Sequence, residues 1–275
     1  MTLEHEVVLT RSGARAMLDK RSGEVMHPVV GPLEEAERLY VGPARLRGRL
    51  SEPRPEAVVL FDVGLGAGSN AAAAFHLSEA EPPTARRLEI VSFDRSLAAL
   101  ELASAPEHAS AFGLSGSAGV AARALLERRA HESTRTHWRL VEGDVREALA
   151  REPAASADVV FWDPFSPAAN PELWTLEAFV ALRRVCRDGA SVHTYSGATA
   201  VRSALLLAGF WVGVGEKIGE GKYATLAAAS QGVLERPLDR RWLDRLARSS
   251  APFPSDAPED ALERVRALPQ FGPDT

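Results

Sequence analysis

The run Asp62-Val63-Gly64-Leu65-Gly66-Ala67-Gly68 joins an apolar, strand-like segment to an alanine-rich helical one, and this junction constrains the fold more than any other feature of the chain. Glycines there let the backbone turn sharply and approach a ligand with no Cβ in the way. Around it, short apolar runs alternate with helical patterns, the signature of βα units feeding a mostly parallel sheet. The runs are 57–62, 88–94, 138–142, 157–163 and 190–195; the helical segments are 69–77, 96–103, 120–129, 145–151, 172–187 and 198–208. After Gly209 the alternation stops. The strand-like runs 210–215 and 223–229, joined through Gly219-Glu220-Gly221, predict an antiparallel hairpin.

The details of the bend select the cofactor. Its spacing is Gly-x-Gly-x-Gly, the sixth position of the dinucleotide fingerprint is Ser69, and no Gly-Lys-Ser/Thr follows to cradle a nucleoside triphosphate. Asp62, two residues before Gly64, suits the ammonium group of S-adenosylmethionine (SAM). Asp94, ending the second run, is placed to accept from two ribose hydroxyls, and Asp144, after the third, to accept from the adenine amino group. With Gly64, Gly66, Gly68 and Asn70 these acids form the expected cofactor set. A single Asp at a strand end is an ordinary helix cap; three at successive strand ends beside a glycine bend point to a shared site. A dinucleotide dehydrogenase continues with a parallel sixth strand, whereas βα units closed by an antiparallel hairpin resemble the class I SAM-dependent methyltransferases, an α/β, Rossmann-like doubly wound sheet.

The fourth run ends in Trp162-Asp163-Pro164-Phe165-Ser166-Pro167. Carboxyl ends of strands near a topological switch point face the ligand crevice, so Asp163 is expected beside the transferred methyl group. An acid followed by Pro and an aromatic ring resembles the loop of amino-group methyltransferases. The acid orients the amine and accepts its proton, and Phe165 offers a stacking face. A methyl group on a sulfonium needs little activation, so alignment and exclusion of water are the main tasks left to the protein. His27 and Tyr195 are further candidates for the substrate mouth; Trp162 and Trp174 read as core.

Three phrases together resemble one family: Met26-His27-Pro28 with Gly31-Pro32-Leu33-Glu34-Glu35-Ala36; Asp163-Pro164-Phe165-Ser166-Pro167 with Asn170-Pro171-Glu172-Leu173-Trp174; and Thr194-Tyr195-Ser196-Gly197-Ala198-Thr199 running on to Leu205. They are similar to the methyltransferase part of the MnmC-like enzymes, which complete 5-methylaminomethyl-2-thiouridine at the wobble position of tRNA. The resemblance implies an aminomethyl-uridine acceptor in the tRNA anticodon loop, Asp163 as the active-site aspartate, and a form without the FAD-dependent oxidase part, that oxidase being a separate upstream partner. It also implies an RNA contact at Lys222, where the family shows a basic pair and this chain has one basic residue, in Gly221-Lys222-Tyr223.

Composition narrows the rest. A formal charge of −5 argues against coating a long nucleic acid, which keeps a small-molecule amine open as an alternative acceptor and a noncatalytic SAM-binding scaffold as a third reading. One cysteine, Cys186, excludes an intramolecular disulfide and a cysteine metal cluster; no metal site is expected, and its apolar neighbours predict a buried helix residue. No apolar run of roughly eighteen residues and no leader-like N-terminus appear, so a cytoplasmic protein is expected. The expected organisation is an N-terminal extension near the active site (1–50), a SAM-binding domain (51–230) and a helical tail (231–275).

Overall fold

The computed structural model describes residues 4–27, 30–219 and 222–272. An N-terminal antiparallel sheet is built from β1 (His5–Leu9), β2 (Arg15–Asp19) and β3 (Val25–Met26). All three strands lie in the N-terminal extension. Helix α1 (Pro32–Ala36) then runs into a π-helical turn (Glu37–Val41) and, after a break, α2 (Leu46–Ser51).

The main sheet follows in the expected alternation: β4 (Val58–Val63), α3 (Ser69–Glu79), β5 (Leu88–Asp94), α4 (Ala98–Ala103) and α5 (Ser117–Arg128). Next come a short β6 (Ala130–Glu132), β7 (Thr136–Glu142), α6 (Val145–Arg151), β8 (Ala157–Trp162), α7 (Leu176–Val185), β9 (Cys186–Thr194) and α8 (Thr199–Leu207). The antiparallel hairpin is β10 (Trp211–Gly219) and β11 (Lys222–Ala228), with Glu220 and Gly221 of its link outside the described residues. Helices α9 (Arg240–Arg248) and α10 (Ala261–Arg266) complete the chain.

The order of the large sheet is β10-β11-β9-β8-β4-β5-β7-β6, parallel from β9 through β7. Successive units move outward from β4 through β5 and β7, then return to β8, so the switch point lies between β4 and β8 and opens a crevice at their carboxyl ends. All residues of β4 are buried, as a central strand requires. Its alternation divides two cores: Val58 and Leu60 pack with α2, α3 and α5, whereas Val59, Phe61 and Val63 face α6, α7 and α8.

The tail packs into this second core through Trp242, Leu246, Val265 and Phe271, with Trp242 and Phe271 stacked at 6.1 Å. The predicted helix 172–187 is broken. A 3-10 turn (Pro171–Leu173) precedes α7, whose start is fixed by Thr175, its hydroxyl accepting from the Ala178 N–H. Cys186 is buried as expected but opens β9; it is a strand residue, not a helical one, because the chain turns extended at that position.

Candidate active site

The crevice is assembled from the carboxyl ends of β4, β5 and β8 and from the N-terminal segment that folds over them. After β4 the chain turns through Gly64 at φ 84° and Gly66 at φ 51°. A Cβ at Gly64 would stand 2.6 Å from the backbone carbonyl oxygen of Asp163, and one at Gly66 would stand 3.1 Å from Sδ of Met26. The bend is thus pressed between the β8 loop and β3, and Gly68 starts α3 from a left-handed cap.

Two acids shape the bend. Asp62 is buried; Oδ2 accepts from the Ser92 hydroxyl at 2.8 Å, the Ser92 oxygen in turn accepts from Trp138 Nε1 at 3.0 Å, and Oδ1 has no partner. Burial, with Asp163 and Asp94 nearby, pushes its carboxyl up to about 7 against the Ser92 hydrogen bond. Asp94 accepts from the Gly66 N–H at 2.8 Å and from the Ser96 N–H at 3.1 Å; burial raises its carboxyl against these bonds.

Asp163 sits opposite. Its Oδ1 accepts from the Tyr40 hydroxyl and its Oδ2 from Asn70 Nδ2 at 2.6 Å. His27 Nε2 stands 3.9 Å from Oδ2, and His27 Nδ1 stands 3.5 Å from Oε1 of Glu35. Burial lifts Asp163 to about 6, with Glu35 adding to the rise and His27, Tyr40 and Asn70 opposing it. The π-turn delivers Tyr40: the Gly42 N–H bonds to the Glu37 carbonyl at 2.9 Å, and the widened turn carries a fully buried Tyr40 to Asp163.

The loop after Asp163 is fastened at three points. Tyr195 donates to the Pro164 carbonyl at 3.1 Å, Trp174 Nε1 donates to the Phe165 carbonyl at 2.9 Å, and Glu24 accepts from the Ser166 N–H at 3.0 Å and from its hydroxyl. Tyr195 and Trp174 meet edge to face, 5.9 Å between centroids. Trp162 and Trp174 are core, as their setting suggested. Phe165 is half-buried on the same loop.

The chain therefore brings together His27, Asp62, Gly64, Gly66, Asn70, Asp94 and Asp163, with Tyr195 behind the loop. Asp144 is the N-cap of α6, next to Gly143, whose N–H bonds to the Asp94 carbonyl at 2.8 Å. Its Oδ1 accepts from the Arg146 N–H at 2.9 Å, and its Oδ2 pairs with Arg146 at 2.6 Å and Arg95 at 3.3 Å, so that chiefly Arg146 holds it down to about 2. Lys222 is exposed at the start of β11 and shares no hydrogen bond or ion pair with the cluster among the described residues. Pro28, beside His27, lies outside them. Sequence reasoning missed Tyr40, Glu35 and Glu24. For Glu35 there was a signal: a carboxylate between Pro32 and Ala36 on the inward face of α1.

The site suits a cationic nucleoside. Two buried acceptors lack partners, Asp62 Oδ1 and Asn70 Oδ1, and they flank in sequence a bend with glycines at 64, 66 and 68. Buried acceptors left unpaired are costly, and a cation-bearing guest relieves that cost.

A family profile described as S-adenosyl-L-methionine-dependent methyltransferase matches residues 119–230. The tRNA 5-methylaminomethyl-2-thiouridine biosynthesis bifunctional protein MnmC of Methylibium petroleiphilum is 32% identical over 80% of this chain and 34% of its own length. That of Ralstonia nicotianae is 32% identical over 82% and 35%. The crystal structure of MnmC2 from Aquifex aeolicus superposes with a TM-score of 0.73 at 27% identity, covering 96% of this chain and 86% of that one. The chain is an MnmC-like, SAM-dependent methyltransferase. This methyltransferase spans about a third of the length of the curated relatives it matches. Spermidine synthase from Thermotoga maritima, at a TM-score of 0.53 and 13% identity, shares the fold. Among the described residues of the methyltransferase, no helix is long and apolar enough to cross a membrane.

Proposed function

We propose that the methyltransferase acts on the primary amine of an aminomethyl group carried by a modified wobble uridine in the tRNA anticodon loop. The observation that carries this reading is Asp163, an acid raised to about 6 by burial, whose backbone abuts the SAM-side bend at Gly64. SAM supplies an electrophilic methyl group on a sulfonium. The residues that would hold it are Asp62 toward the ammonium, Asp94 toward the ribose and the Gly64-to-Gly68 bend against the nucleoside, with Asn70 reaching across to the acceptor acid.

Asp163 does the work on the acceptor. Fixed by Tyr40 and Asn70, it orients the amine through an N–H and takes the proton that leaves. A carboxylate near 6 is ionised at neutral pH yet basic enough to accept, the compromise a general base needs. The surroundings favour a cationic guest: Asp62, Asp94 and Glu35 are acids, and Asp62 and Asp163 are both raised by burial and by a neighbouring acid. Phe165, half-exposed beside Asp163, is assigned the stacking face for the uracil ring. An anticodon base lies unpaired in its loop and leaves the stack cheaply, so it can reach a buried acid.

The similarity to bifunctional proteins of tRNA 5-methylaminomethyl-2-thiouridine biosynthesis supports the same acceptor. A tRNA acceptor belongs to the cytoplasm, and the primary amine requires an upstream reaction, assigned to an FAD-dependent oxidase. The test is direct. Purified protein with SAM and tRNA carrying 5-aminomethyl-2-thiouridine should yield 5-methylaminomethyl-2-thiouridine on nucleoside mass spectrometry. Transfer to free amines with none to that tRNA would make the acceptor a small molecule instead.

A further inference from the structure

Three observations single out His27. It is a non-glycine residue at φ 55°, in the left-handed region that side chains rarely adopt. Its ring is buried, and Nδ1 has no aligned hydrogen-bond partner although Oε1 of Glu35 stands 3.5 Å away. Its other nitrogen, Nε2, faces Oδ2 of Asp163 at 3.9 Å. An imidazole held in a strained backbone with a carboxylate off each nitrogen is costly to maintain for packing alone, and strain of this kind gathers where a fold serves a site.

The two carboxylates come from different parts of the chain. Asp163 follows β8, whereas Glu35 lies on the buried face of α1, its side chain about one-tenth exposed. The Asp163 carboxyl is held by Tyr40 and Asn70 and its backbone abuts the Gly64 bend, and the imidazole that stands beside it is that of His27.

We infer that His27 and Glu35 form the exit route for the proton that Asp163 takes from the acceptor nitrogen. The inference rests on the reading of Asp163 as the acceptor-side acid. The proton leaves the methylated nitrogen for Oδ2 of Asp163 and passes to Nε2 of His27, while the proton on Nδ1 moves to Oε1 of Glu35. One proton is lost by the nitrogen and one is gained by Glu35; Asp163 is again a carboxylate and His27 a neutral ring of the opposite tautomer. Release from Glu35 to solvent and return of His27 to its first tautomer reset the site. The 3.9 Å and 3.5 Å gaps close by a shift of the ring or through a bridging water. The groups that face His27 are Asp163 from β8, Glu35 from α1 and Asp62 from β4, all acids. Burial by itself would depress its imidazole, and these carboxylates outweigh that and raise it.

The route has two independent readouts. In the protein without cofactor or acceptor, the His27 ring is followed by NMR titration. Its midpoint should fall by about one unit in Glu35→Gln and in Asp163→Asn, each having lost a facing carboxylate. A midpoint that neither substitution moves overturns the route. In turnover, His27→Gln should lower kcat on the order of tenfold to a hundredfold and reshape its pH profile, while SAM affinity holds. A kcat within about twofold of the parent enzyme overturns the route as well. The titration needs no acceptor, so a wrong assignment of tRNA would show as absent product while the midpoints still shifted.

Discussion

The hydroxyl of Tyr40 donates to Oδ1 of Asp163, joining the π-turn before the main sheet to the loop that follows β8. This bond favours the ionised carboxylate, so its loss moves Asp163 upward from about 6. Tyr40→Phe keeps the ring that packs 5.3 Å from Phe161 and removes only the donor. The acid limb of the kcat/KM profile should then shift to higher pH by about one unit, with most of the rate regained above roughly pH 8. A profile displaced downward, or a loss equal at every pH, would mean that Tyr40 serves packing alone.

Gly64 supports the same loop from the cofactor side. Alanine there combines a backbone at φ 84° with a Cβ 2.6 Å from the Asp163 carbonyl oxygen and 2.8 Å from its carbon. Neither contact involves a flexible side chain, so the bend or the β8 loop must move. Gly64→Ala should cost about 2 kcal/mol or more in stability and weaken SAM and the rate of transfer together. Gly232→Ala, with open space around it, is the control and should stay within about 0.5 kcal/mol. Denaturant melts and calorimetry with SAM report both quantities.

What was legible in the sequence follows from range. The glycine bend, the five parallel strands, the closing hairpin and α6 are local patterns of period and punctuation, and they were placed to within a few residues. Asp62, Asp94 and Asp163 could be named because a strand end in a doubly wound sheet fixes where a residue sits. Tyr40, Glu35 and Glu24 could not. Each reaches the site from the N-terminal segment through contacts distant in sequence, and no short pattern marks a π-turn or a three-stranded sheet with a two-residue edge. Asp144 shows the converse: its position at a strand end was right, but Arg146, two residues on, offered a partner that strand-end reasoning did not weigh.

Asp62 sets stability against function. Its folded carboxyl is raised to about 7 from 3.8, so between roughly pH 4 and 7 the folded protein retains a proton that the unfolded chain has released. Stability therefore falls as pH rises through that window. Asp62→Asn removes the buried charge and should stabilise the protein above pH 7 by on the order of 2 kcal/mol, raising Tm by several degrees. The same change should weaken SAM at least about a hundredfold if the free Oδ1 serves the ammonium. In the parent protein, SAM affinity should fall as pH drops below about 7, since binding then requires a proton to leave Asp62. Calorimetry in two buffers of different ionisation enthalpy measures that release. No proton released at pH 6 would remove Asp62 from the ammonium site.

Asp94 and Asp144 offer the sharpest contrast, because both end a βα junction and only one is committed elsewhere. Asp94 holds the Gly66 and Ser96 amides within the crevice, and Asp94→Ala should weaken SAM by about 2 kcal/mol through the lost ribose contact and the loosened bend. The Asp144 carboxylate is engaged by the Arg146 backbone and by two guanidinium groups, Arg146 and Arg95. Reaching an adenine amino group would mean sharing oxygens already paired with charged donors. Asp144→Ala should therefore appear mainly as a lost helix cap of about 1 kcal/mol in the melt, with a smaller change in SAM affinity than Asp94→Ala. Equal weakening by the two substitutions would restore Asp144 to the adenine, with the arginines as its anchors.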